Sequence, residues 1–182
     1  MAKAYPEYDY DLAAGLLEEL SVLSWLEGVK NGIESLGPSL SDKDNFFARY
    51  GLKVAERVLA AGKKYMDRTG EVIEEVARKT GISFPSIPQR FIEIWLLGTR
   101  PADKWKITEN TTKRFNLVVE SCSAYDSLKE RLEEGNDSLP CRCGCITVLE
   151  EIYRDLKLPV KVSCLKSMRQ EGKCVFSSDF GG

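Results

Sequence analysis

The sequence predicts an α+β fold, with an N-terminal helical bundle packed on a small antiparallel β-sheet of about four strands and further helices. Apolar residues recur at helical spacing through the first half of the chain. Near residue 99 the texture changes, and β-branched residues begin to alternate with polar ones. The resulting order is four helices, two strands, two helices and two strands, which suggests α+β with a small antiparallel sheet. A chain of 182 residues is long enough to bury a core without staples. The expectation is a single domain over residues 1–182. Residues 1–98 form its mainly helical part, and residues 99–182 form an α/β part that carries a cysteine cluster.

The first expected helix covers residues 10–36, with Leu12, Leu16, Leu20, Leu23, Leu26, Val29 and Ile33 forming a wide apolar stripe. Gly15, Gly28 and Gly32 lie inside it. Interior glycines cost roughly 1 kcal/mol each relative to alanine, so close packing against another helix or a ligand is expected there. Gly37-Pro38 stops this helix. Ser41 is read as the N-cap of the next, with Asp42 and Asp44 in its first turn, and the pattern runs to about Met66. "TGEVIEEVARKTG" is a third helix, capped by Thr69 and closed by Gly81. "QRFIEIWLLG" fits a fourth helix after Pro88 better than a buried strand. Residues 99–104 read as a linker.

"KWKITE" and "KRFNLVVESC" form a hairpin around "NTT". "AYDSLKERLEEG" is a short polar-faced helix and "CGCITVLEEIYRDLK" an amphipathic one. "PVKVSCLKSM" and "KCVFSSDF" are the last two strands, joined by the turn "RQEGK".

Composition narrows the function. The hydrophobic share is 43%, the charged share 30% and the net charge −2. These fit a soluble globular protein and give no electrostatic case for nucleic acid or an anionic membrane. No apolar run reaches membrane-spanning length. The N-terminal "MAKAYPEYDYDL" has acidic residues where a signal peptide has its apolar region, so a cytoplasmic location is expected. There is no histidine, which excludes Ser-His-Asp and Cys-His catalysis. Any metal must be held by sulfur, oxygen or backbone.

The six cysteines therefore carry most of the chemistry in view. In a reducing compartment they read first as metal ligands, reactive thiols or buried small hydrophobes. "LPCRCGCI" places three at alternate positions. Pro140 is expected to keep the chain extended before the helix, so that Cys141 and Cys143 face one side. A helix N-terminus also lowers a thiol pKa. Cys164 and Cys174 approach each other if their strands pair. The candidate metal ligands are Cys141, Cys143, Cys145, Cys164 and Cys174, for zinc or an iron–sulfur cluster. A disulfide or redox pair and plain core packing are the alternatives. Cys122 reads as structural. Trp25, Phe47, Tyr50, Phe91 and Trp95 are candidates to line a pocket for a small apolar ligand, although aromatics at helical spacing more often form an ordinary core.

The C-terminal "LPCRCGCITVLEEIYRDLKLPVKVSCLKSMRQEGKCVF" resembles the end of the 4-vinyl-reductase (hydrocarbon-binding) domain superfamily, with Cys141, Cys164, Gly172, Cys174 and Phe176 at the matching positions. It is also similar to the L-2-amino-thiazoline-4-carboxylic acid hydrolase-like family. Cys143 and Cys145 are additions to the first pattern. That resemblance implies a ligand-binding or sensory domain, dimeric through its helices. The second implies a hydrolase of a small cyclic substrate, using a low-pKa thiolate at Cys143 or Cys145. A scaffold whose cysteines only pack is the third reading.

Overall fold

The structure, a computed structural model, describes residues 20, 24–34, 40–64, 86–129 and 141–181. The elements in chain order are α1 Trp25–Glu34, α2 Leu40–Lys64, α3 Ser86–Thr99, β1 Lys104–Asn110, β2 Arg114–Ser121, α4 Ser123–Lys129, α5 Cys141–Asp155, β3 Val160–Lys166, α6 Met168–Glu171 and β4 Cys174–Phe180. This is the expected α+β class. The expected helix over residues 69–81, the stop at Gly37-Pro38 and Gly15 lie outside the described residues.

The helix expected over residues 10–36 is not continuous. Ser24 interrupts it. Its hydroxyl accepts the Glu27 N–H at 3.3 Å and its carbonyl accepts the Gly28 N–H at 3.0 Å. A serine that offers its side chain to the first turn starts a helix and competes with continuation through it. Helix α2 begins at Leu40, so Ser41 falls inside it. The ambiguous "QRFIEIWLLG" is helical, within α3.

The four strands form one antiparallel sheet in the order β1-β2-β4-β3. Two hairpins are thus joined through β2 and β4, and the last strand of the chain becomes a central one. Phe115, Leu117 and Val119 alternate to one face of β2, and Phe176 lies on the same face of β4 opposite Leu117. All four are buried in the core. The opposite face carries the ion pairs Lys106–Glu120 and Arg114–Asp179, at 2.5 and 2.7 Å. That face is not wholly open to water, since Val118 and Ser177 on it are buried. The turn expected at "RQEGK" is instead the single helical turn α6, closed by Gly172 at φ 66°.

Helix α5 ties the layers together. It packs extensively on α2 and also touches α3 and β3. Tyr153 meets Phe180 edge to face, with ring centroids 5.6 Å apart. The close approach of α2 and α5 depends on facing glycines. A Cβ at Gly51 would lie 2.6 Å from the Gly144 carbonyl oxygen, and one at Gly144 would lie 2.8 Å from the Trp25 ring. Gly28, expected to mark close packing, does so, because its Cβ would overlap the Tyr50 ring. Gly51→Ala should destabilise the protein by about 1–3 kcal/mol through overpacking between two backbones. Gly181→Ala, with open space around it, should be near neutral. Urea unfolding of the two variants checks this, and equal midpoints would disprove the close approach.

Candidate functional site: a cysteine-lined cleft over a buried arginine

The segment between α3 and β1 does not behave as the expected linker. It places Arg100 and Asp103 in the interior, 3% and 9% exposed. The Arg100 Nε donates to Asp103 Oδ2 at 2.6 Å. The other carboxylate oxygen, Oδ1, accepts the Ser123 N–H at 2.8 Å and the Ser123 hydroxyl at 2.7 Å. Nη2 also lies 2.6 Å from Asp103 Oδ2, and both Nη nitrogens reach sulfur. Nη1 donates to Cys145 Sγ at 3.3 Å and Nη2 to Cys122 Sγ at 3.1 Å. The guanidinium carbon also lies 5.6 Å from the Trp25 ring and 5.4 Å from the Trp95 ring, within cation–π range. Burial opposes the Arg100 charge. Cys145, Cys122 and Asp103 favour it more strongly, so the group is held above its ordinary value and stays a cation.

Helix α5 sets which cysteines join this cation. Cys141 is already helical, not part of an extended lead-in. Along a helix each residue turns about 100°, so Cys141 and Cys145 share a side and Cys143 points away from them. Cys143 instead faces Asp44 of α2, with Sγ 3.6 Å from Oδ1. Cys141, Cys145, Cys122 and Cys174 line one cleft with Trp25, Arg100, Val119, Tyr125, Arg142, Met168 and Phe176. The cleft measures about 320 Å³ with its open mouth included. Its interior is narrow and its wall is almost entirely carbon and sulfur.

The five expected metal ligands therefore divide. Cys141, Cys145 and Cys174 reach the cleft, Cys164 lies beside Cys174, and Cys143 stands apart. Cys122, read as structural, joins them. Among the described residues no group of three or more histidine, cysteine or acidic side chains is arranged to hold a metal ion. The buried guanidinium also disfavours a dication between these sulfurs. As placed, these residues do not fit a metal centre. Of the expected pocket aromatics, Trp25 lines the cleft. Phe47, Phe91 and Trp95 are buried in the core, and Tyr50 is half-buried and packed against it.

The thiols differ in acidity. Burial pushes Cys145 up to about 12 against the pull of Arg100. Burial also raises Cys122 and, more strongly, Cys141. Cys143 is raised by burial and by Asp44. The lowering expected from the helix N-terminus is thus outweighed, and neither Cys143 nor Cys145 is a ready thiolate. Cys164 alone is lowered, chiefly by a hydrogen bond from Cys174, and the same bond raises Cys174. Sequence reasoning missed Arg100 and Asp103. The only signal was two charges beside Pro101 directly after an apolar helix.

Fold and site together define an α+β protein with a cysteine-lined cleft built over a buried Arg–Asp pair. No protein-family model, curated protein or solved structure matches the chain. No helix among the described residues is long and apolar enough to cross a membrane.

Asp103→Asn keeps an acceptor for Ser123 but strips the buried guanidinium of its counter-ion. It should cost about 3–5 kcal/mol. Arg100→Met combined with Asp103→Asn should recover most of that loss in guanidinium chloride unfolding, because no uncompensated charge remains. A double variant no better than the single one would disprove the account.

Alkaline pH provides a second test. The thiol of Cys145 has an ordinary value of 9.0 and is raised to about 12 in the fold. Above pH 9 the unfolded chain loses this proton while the native chain keeps it. Stability is therefore fully present below pH 9 and falls as pH rises towards 12, by about 1.4 kcal/mol per pH unit for one such thiol. Cys145→Ser should flatten this slope in unfolding curves taken between pH 9 and 11.

Proposed function

We propose that this protein is a small-molecule-binding or sensory domain whose receptive site is the cysteine-lined cleft, and that its ligand is small and apolar. The nature of the cleft wall, carbon and sulfur with hardly a polar atom exposed, carries this reading. Such a surface gains by shedding water onto an apolar guest. The resemblance of the C-terminal strands and cysteines to the hydrocarbon-binding superfamily supports it from a separate direction. Six free thiols favour a reducing, cytoplasmic setting, and a homodimer packed through the first helix belongs to the same reading. The cleft as it stands seats a water-sized guest. A larger ligand enters by displacing Met168, whose thioether side chain adapts readily, and the exposed Arg142 at the rim.

Trp25 in the wall makes its fluorescence a reporter. Titration with toluene should change the emission saturably. Cys141→Phe, which fills the cleft, should weaken binding about tenfold or more, the scale on which apolar pockets discriminate size. An unchanged affinity in a folded variant would refute the site.

A second reading, a zinc ion or iron–sulfur cluster held by these thiols after rearrangement, is favoured only by four sulfurs sharing one cleft. Elemental analysis and the visible spectrum of anaerobically purified protein decide it. The thiazoline-hydrolase reading requires a nucleophile at Cys143 or Cys145, and burial disfavours the thiolate at both.

A further inference from the structure

Cys164 and Cys174 form a pair set apart from the other thiols. They lie on neighbouring antiparallel strands, β3 at the edge of the sheet and β4 inside it. Cys164 stands opposite Phe176, so Cys174, two residues from Phe176, is its diagonal neighbour on the same face. Both are half-buried, and the Cys164 thiol donates to the Lys166 carbonyl at 3.1 Å. The register shifts between Cys164 and Lys166, which leaves the intervening Leu165 62% exposed. A β-bulge in an edge strand gives the backbone room to adjust. The other four thiols are poorly placed for the same chemistry. Arg100 holds Cys122 and Cys145, Cys143 faces Asp44, and Cys141 lies on helix α5 and not on a paired strand.

We propose that Cys164 and Cys174 are a redox modification site, converted to an intrachain disulfide by a peroxide-class oxidant. The Cys164 sulfur attacks one peroxide oxygen, the O–O bond breaks, and water (or an alcohol, from an organic peroxide) leaves, giving a sulfenic acid. The Cys174 sulfur then attacks the sulfenic sulfur, the S–OH bond breaks, and a second water departs with the Cys174 proton. The two thiols lose two electrons, and the peroxide gains them. Closing the bridge requires a shift of the β3 backbone, since disulfides form over a narrow range of Cα separations. Leu165 is where that shift falls.

The bridge acts on the cleft. Met168 and Cys174 both line the cleft wall. Moving Cys174 into a disulfide shifts its sulfur within that wall. Oxidation therefore alters the same wall that an apolar guest would touch. The inference does not rest on any ligand being bound there.

The test is to treat the intact chain with hydrogen peroxide, block the remaining thiols, and map cysteine pairs by mass spectrometry. The expected result is a loss of two hydrogen masses, a Cys164–Cys174 crosslink as the dominant species, and reversal by dithiothreitol. Trp25 emission should shift on oxidation and return on reduction. Cys143→Ser should form the bridge as wild type does, whereas Cys164→Ser and Cys174→Ser should not form it. A dominant crosslink through Cys141, over-oxidation of Cys164 to the sulfinic acid with Cys174 still free, or no bridge at all in the folded wild-type chain would each overturn the proposal. The mapping is made on the wild-type protein, so it stands even if a variant folds poorly.

Discussion

One buried cation organises this molecule. Arg100 emerges from the end of α3 and is held by Asp103 just before β1, by Cys122 at the end of β2 and by Cys145 in α5. Two indole rings, from α1 and α3, flank it. Helices from the first half and the sheet of the second thus meet at one guanidinium. Removing such a charge from water costs several kcal/mol even after relaxation. The cost is offset only because a carboxylate, two sulfurs and two π-faces surround the ion at once. Each partner must be in place for the others to be tolerable, and the interaction therefore specifies how the layers dock more than it adds net stability. Asp103 repeats the logic on the other side, since its second oxygen is satisfied by the backbone and hydroxyl that open α4.

Much of the fold was legible because apolar periodicity records which face is buried. The alternation in "RFNLVVES" and the spacing of Val148, Leu149, Ile152 and Tyr153 both follow their core contacts. Phase was harder to read. Pro140 suggests an extended lead-in, yet a proline immediately before a periodic segment is equally a helix-start signal. Starting α5 at Cys141 rather than after it reverses which cysteines share a side. Alternation would pair Cys141 with Cys143, whereas the helix pairs Cys141 with Cys145. A small difference in boundary, of the kind propensity seldom resolves, thus redrew the candidate site.

The centre of the site was not legible at all. "TRPAD" has the charge and proline of an exposed connection, and nothing local marks Arg100 or Asp103 as buried. A buried ion pair satisfies its members through partners far apart in sequence; Cys145 lies 45 residues from Arg100. The same holds for Gly51 and Gly144, whose importance is a property of the surface between two helices. Gly28 was easier, because a glycine inside a strong helical stripe already pays an entropic penalty that close packing explains.

The cation also grades the chemistry of the cysteines. Cys122 and Cys145 are direct acceptors of the guanidinium, and for a thiol in water such a neighbour would promote ionisation. Here burial outweighs it, and both remain above their ordinary values. The inner thiols are therefore kept neutral as soft acceptors while Asp103 carries the balancing charge. Moving outward through Cys174 to Cys164, solvent access rises, and the Cys164 thiol bonds the Lys166 carbonyl in place of an arginine. Reactivity then appears at the margin of the sulfur cluster, away from its centre. An inert, apolar interior with one responsive pair at its wall is an arrangement in which a change at the sheet edge reaches the cleft through Cys174 without disturbing the ion pair that holds the fold together.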